Sequence, residues 1–112
     1  MGDRAMAEIK TSDGSLYVYT HWEGNALPVM AKEAIKAARS RLADEPYCTR
    51  IIVDQLTKSG RDEETGFGLM LKPNAEDGYN NDKPSVIIDI VNQILEIHRH
   101  GKKLSRSFNE LQ

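Results

Sequence analysis

The chain has a single cysteine, Cys48, in 112 residues, so no internal disulfide can form. No apolar run approaches the ~20 residues that a membrane-spanning helix needs. The first nine residues carry Asp3, Arg4 and Glu8 and no apolar stretch, which argues against a secretory leader. No Gly-x-Ser-x-Gly elbow occurs, so the usual hydrolase nucleophile is missing. Gly66 and Gly68 are not followed by Lys-Ser/Thr, which excludes a P-loop. No carboxylate pair stands out for glycoside chemistry. An excess of charge of one sign is missing too. The formal net charge is -2, which gives no global case for nucleic acid as a partner. The expected setting is the cytoplasm, with neither membrane nor nucleic acid as partner.

What is present suits one small domain. The 39% hydrophobic fraction is enough for a single core, and the 29% charged fraction covers it. A chain of this length buries only about two thirds of its unfolded surface, and a homo-oligomer is therefore expected. Residues 5–10 and 15–20 are strand-like runs around Thr11-Ser12-Asp13-Gly14, and Asp-Gly between such runs is a hairpin signal. In the second run Leu16, Val18 and Thr20 point one way, and Tyr17, Tyr19 and His21 point the other. The spacing of Leu27, Met30, Ala31, Ala34, Ile35, Ala38 and Leu42 predicts a helix over 27–42 opened by Pro28. Asp44-Glu45-Pro46 restarts a helix. It runs over 47–58, with Tyr47, Ile51, Ile52, Gln55 and Leu56 on one face, until Ser59-Gly60 stops it.

Residues 65–71 read as a strand interrupted by glycine, and 72–84 as a long polar loop. Residues 85–91 and 94–98 read as a second hairpin around Asn92-Gln93. The order β-β-α-α-β-β-β predicts an α+β fold, a mainly antiparallel sheet with two helices on one face. The domain is placed at 1–100. Residues 101–112 are read as a basic C-terminal tail, either a short docking helix on Leu104, Phe108 and Leu111 or disordered. From 98 onward Arg99, Lys102, Lys103 and Arg106 face one acid, Glu110.

Tyr19-Thr20-His21-Trp22-Glu23-Gly24 is the most informative stretch, because a strand-to-helix junction is where α/β proteins place ligand-handling groups. His21 offers a general base, a metal ligand or an anion donor. Trp22 offers a flat face on which a base or sugar can stack. The competing reading puts Trp22 at the edge of the core and His21 on the backbone. Arginine recognises phosphate and carboxylate bidentately, so Arg4, Arg41 and Arg50, with Tyr47, are candidates to join His21, Trp22 and Tyr19 around an anion. Structural pairing with Asp44, Glu45 or Glu64 is the alternative. Glu64 and Thr65 lead into Gly66, whose neighbouring amides could touch a ligand. His98 and His100 share a strand face, but no third metal ligand accompanies them. Cys48, in the first turn of a helix, is read as a buried structural thiol. No cofactor is expected.

Gly2-Asp3-Arg4-Ala5, Tyr19-Thr20-His21-Trp22 with Gly24, Leu27-Pro28, Asp44-Glu45-Pro46-Tyr47 with Arg50-Ile51-Ile52, and Glu64-Thr65-Gly66-Phe67-Gly68 occur in this order. The set resembles a family of small uncharacterised proteins of bacteria and their phages. It spans roughly residues 2–95. Family members tend to carry two glycines after the Trp, where this chain has Glu23-Gly24, and a second Trp where it has Leu42. The resemblance implies an origin and no mechanism. If phage-encoded, the protein would act in the host cytoplasm. The expected function is non-catalytic binding of a small anionic ligand such as a nucleotide, with sequestration of nucleotide immune signals as one concrete form by analogy. A module that binds and inhibits a host protein is the alternative. A hydrolase or transferase using His21 as base has least behind it.

Overall fold

The alternation in residues 5–20 folds as read. Strands β1 (Ala5–Thr11) and β2 (Gly14–Thr20) form an antiparallel hairpin. Gly14 closes the turn at φ +133, a conformation open to glycine and costly to other residues. This computed structural model describes residues 4–72, 84–99 and 101–111. Residues 73–83, most of the polar loop expected at 72–84, lie outside them, as does His100.

The hairpin supplies two strands of a six-stranded sheet. Its other strands are β3 (Phe67–Met70), β4 (Val86–Asp89), β5 (Ile94–Arg99) and β6 (Lys102–Ser107). The order across the sheet is β3-β2-β1-β4-β5-β6. Every pair is antiparallel except β1 with β4. Helices α1 (Leu27–Ala37) and α2 (Glu45–Thr57) pack on one face, giving the α+β architecture expected. The radius of gyration is 13.0 Å, about that of one compact domain of this length. Among the described residues no helix is long and apolar enough to cross a membrane.

Register decides which side chains meet the helices. Ala5, Ala7 and Ile9 of β1, Val18 of β2, Val86 and Ile88 of β4, and Leu95 and Ile97 of β5 form the buried layer. Ala31, Ala34, Ile35 and Ala38 of the first helical segment are 0% exposed. Alanine there lets α1 approach closely. Tyr17 and Tyr19 therefore point to the opposite face. On that face Tyr19 and Met6 are cross-strand partners, and both are buried.

Three expectations need correction. Helix α1 stops at Ala37, five residues short of the predicted 42. Ala38 takes φ -91, ψ 3, and its N–H is shared between the Ala34 and Ile35 carbonyls at 3.1 and 3.2 Å. The chain then tightens into a 3-10 turn, Arg39–Arg41, whose cations suit a helix C-terminus. In α2 the buried stripe is Cys48, Ile52 and Leu56, while Tyr47 is 58% exposed. Ile52 and Leu56 lie on the predicted face and Cys48 is buried as expected, so the correction is confined to Tyr47. Over their described part residues 101–112 are not a loose tail: they form a strand, and the expected docking helix is confined to a closing 3-10 turn that seats Phe108 and Leu111 on the core. Gly101, at φ +75, turns the chain into β6, which pairs along β5 from Arg99↔Lys102 to Ile94↔Ser107. Lys102, Lys103 and Arg106 decorate an edge strand, where charge discourages pairing with another chain. The last turn, Phe108–Leu111, buries Phe108 completely, and its N–H donates to the Gln93 carbonyl at 2.8 Å.

Candidate functional site

The end of β2 builds the site. Tyr19 is 9% exposed, and its hydroxyl lies 2.9 Å from Nδ1 of His21. With the phenol donating, Nδ1 accepts and Nε2 carries the imidazole proton. The His21 backbone N–H donates to the Gly66 carbonyl at 2.8 Å, which ties the strand end to the segment entering β3. Thr20 is buried, and its Oγ1 accepts from the Glu23 N–H at 3.1 Å, turning the chain away from the sheet toward α1. Trp22 therefore leaves the sheet and lies over Gly66. A Cβ at Gly66 would stand 3.5 and 3.7 Å from Cδ1 and Nε1 of the indole. The indole meets the His21 ring edge-on, with centroids 4.2 Å apart and planes at 78°.

These contacts frame a cavity of about 520 Å³ lined by Arg4, Tyr19, His21, Trp22 and residues 64–68. That volume falls in the range of small-molecule sites. Trp22 is 57% exposed, so much of its surface is available to a ligand. The reading in which it merely fills the core edge is not what the chain does. Six of the nine residues singled out in the sequence converge here: Arg4, Tyr19, His21, Trp22, Glu64 and Thr65. The other lining residues are Gly66, Phe67 and Gly68, of which Gly66 carries φ +105. The Gly-Phe-Gly run was visible in the sequence as a place where backbone comes close to something. What it approaches is Trp22 and Tyr19.

Arg41, Tyr47 and Arg50 do not belong to this site. The Arg41 guanidinium lies over the Tyr47 ring, 5.6 Å from its centroid, an exposed cation–π contact of modest worth. Arg50 lines a separate groove of about 550 Å³ with Thr11, Asp13, Glu45 and Pro46. Among the described residues no aromatic side chain lines that groove. Its Glu45 carboxylate is engaged by the Ser12 N–H and hydroxyl at 3.1 and 2.8 Å. The physical reason for the separation is the tie between Ser12 and Glu45. It holds the first turn of α2 at the hairpin tip, whereas His21 sits at the other end of a seven-residue strand pair, roughly 20 Å away at about 3.3 Å per residue.

The remaining titratable candidates fall outside the cavity as well. Cys48 is fully buried. Burial, reinforced by the Glu45 and Asp44 carboxylates, pushes its thiol above the ordinary range, so it is a poor nucleophile. His98 Nε2 lies 3.2 Å from a Glu96 carboxylate oxygen, which Lys103 approaches at 3.7 Å. Among the described residues no group of three His, Cys, Asp or Glu could hold a metal ion. Comparison with models of known families, with curated proteins and with solved structures finds no match to this chain.

Proposed function

We propose that this protein binds a small, flat, anionic ligand, with nucleotides as the leading class, and does not transform it. The observation that carries the reading is the convergence of Arg4, Tyr19, His21 and Trp22 on one cavity of about 520 Å³. An exposed indole supplies a stacking surface, and a guanidinium and an imidazole supply donors for an anion. Among the described residues the lining contains no Ser, Cys or Lys, and its one aliphatic hydroxyl is that of Thr65. Sequestration of a nucleotide signal is one biological use of such a binder.

Thermal shift of the full chain against nucleotides, cyclic nucleotides, sugar phosphates and dicarboxylates tests it. A ligand at a hundred times its Kd adds about 2.7 kcal/mol, several degrees for a domain of this size. The hit should vanish in Trp22→Ala and survive in Tyr47→Ala and Arg50→Ala. No shift from any class at millimolar concentration refutes the reading.

A second reading has its own observation. Edge strand β3 and the residue after it leave Leu69 57% and Leu71 83% exposed, close in sequence to the Gly66 wall of the cavity. An apolar edge of this kind suits a protein partner or a second copy of the chain. Solution mass of the wild type and of Leu69→Lys distinguishes the two. An oligomer dispersed by the substitution assigns the edge to self-association. A monomer in both leaves a host protein as the occupant.

A further inference from the structure

A second, smaller cavity of about 190 Å³ adjoins the first and shares Arg4 with it. Its other polar walls are Asn25, Ser85, His98 and Arg99. The sequence marked His98 only as half of a metal pair and Arg99 only as part of a basic tail. Pairing places both at the end of β5 nearest the site, since the His98 N–H donates to the Ser85 carbonyl at 2.8 Å and the Ser85 N–H to the Met6 carbonyl at 3.0 Å. One nitrogen of the Arg99 guanidinium donates to the Asn25 carbonyl at 2.9 Å, which fixes the group at the rim. A guanidinium carries five N–H donors, so one bond orients it without spending it. Among the described residues no Asp or Glu lines this notch, whereas Glu64 lines the larger cavity.

The two compartments differ in the way the two halves of a nucleoside phosphate differ. The larger has aromatic walls and room for a ring and a sugar. The smaller is below the ~300 Å³ at the lower end of small-molecule sites, and its charged side chains are all cation-capable, which suits a compact anionic group. We propose that they form one bipartite site, with base and sugar against Trp22 and the phosphate in the notch of Arg4 and Arg99; the His98 imidazole, which leaves β5 on the other face and lies 3.2 Å from Glu96, is not part of it. This deepens the function proposed above and rests on it. Its new content is a phosphate subsite at Arg99.

The test is calorimetric titration of the full chain with the four ribonucleoside 5′-monophosphates and the matching nucleosides. Arg99→Gln keeps an N–H for the Asn25 carbonyl and removes the charge. It should weaken the best nucleotide roughly tenfold, the usual worth of a hydrogen bond to a charged group, and leave its nucleoside unchanged. His98→Gln, at an imidazole held by Glu96 on the other face of β5, should leave both ligands unchanged, and Trp22→Ala should weaken both. If Trp22→Ala abolishes nucleotide binding while Arg99→Gln does not alter it, the subsite is wrong and the binding function stands. Equal weakening of nucleotide and nucleoside by Arg99→Gln makes Arg99 merely structural and also overturns the subsite. Should no nucleotide bind while another anion does so in a Trp22-dependent way, the bipartite site again fails alone. Silence from every anion refutes both readings.

Discussion

Gly66→Ala isolates backbone strain from steric room at the wall of the cavity. Gly66 sits at φ +105, and the Cβ it would gain meets Trp22 at 3.5 and 3.7 Å, ordinary contact distances. Space is therefore available, and the cost is conformational. An L residue forced into such a region costs about 1–3 kcal/mol. At 112 residues that corresponds to a fall in Tm of roughly 4–12 °C. Gly68 is the control. It lies one pleat further along β3, its φ is compatible with a side chain, and a Cβ there would meet only Tyr19 Cδ2 at 4.0 Å. Gly68→Ala should cost well under 1 kcal/mol. Since the Gly66 carbonyl accepts from His21, relief of strain by rotation of that peptide would also disturb the imidazole. Gly66→Ala should thus weaken ligand binding as well. Thermal melts of the two variants side by side decide the matter. Equal stability of Gly66→Ala and Gly68→Ala would refute the strain argument.

Three further outcomes follow from the core and the turns. Ile52→Ala empties a site that is 0% exposed between α2 and the sheet, and should cost about 2–5 kcal/mol in urea unfolding, with ligand affinity unchanged because Ile52 does not line the cavity. Cys48 should resist thiol reagents in the native state. Because its thiol is held above the ordinary range, the stability it contributes is full below the unfolded thiol value near 8.5 and is lost as pH rises through the folded one; the alkaline loss should flatten in Cys48→Ala. Asp89 has the opposite sign. Burial alone would raise its carboxyl, but the Asn92 N–H and side-chain amide, each at 3.0 Å, with the Lys10 charge hold it below the ordinary range. Its contribution is present above about 3.9 and disappears as pH falls through the folded value. Acid titration of stability should therefore be shallower in Asp89→Asn than in the wild type.

Local pattern carried most of the fold. Period-two alternation in β1 and β2 and the Ser12-Asp13-Gly14 turn named the hairpin, and the apolar spacing from Leu27 named α1. What it missed has one cause, competition from partners distant in sequence. Tyr47 looked as good a core residue as Cys48, and only the docking of α2 onto β1 turns Cys48, Ile52 and Leu56 inward. The basic run after His98 looked like a solvated tail because its charges hid a strand. Leu104 opposite Ile97 and Phe108 in the core show what holds it.

The site divides along the same line. Tyr19, His21 and Trp22 lie within four residues at and just past the end of β2, so sequence spacing alone placed them together, and a glycine run was a fair guess for the wall they needed. Arg41, Tyr47 and Arg50 offered the right chemistry on helices whose position along the sheet no local spacing reveals. The bond from Ser12 to Glu45 fixes that position and carries them to the hairpin tip. Arg99 and His98 had the opposite fate. They lie far from His21 in sequence, in a stretch dismissed for its charge, yet the pairing of β1, β4 and β5 brings them beside Arg4. Strand order therefore decides which arginines lie near the Trp22 cavity: Arg4 lines it, and Arg99 lines the notch that shares Arg4.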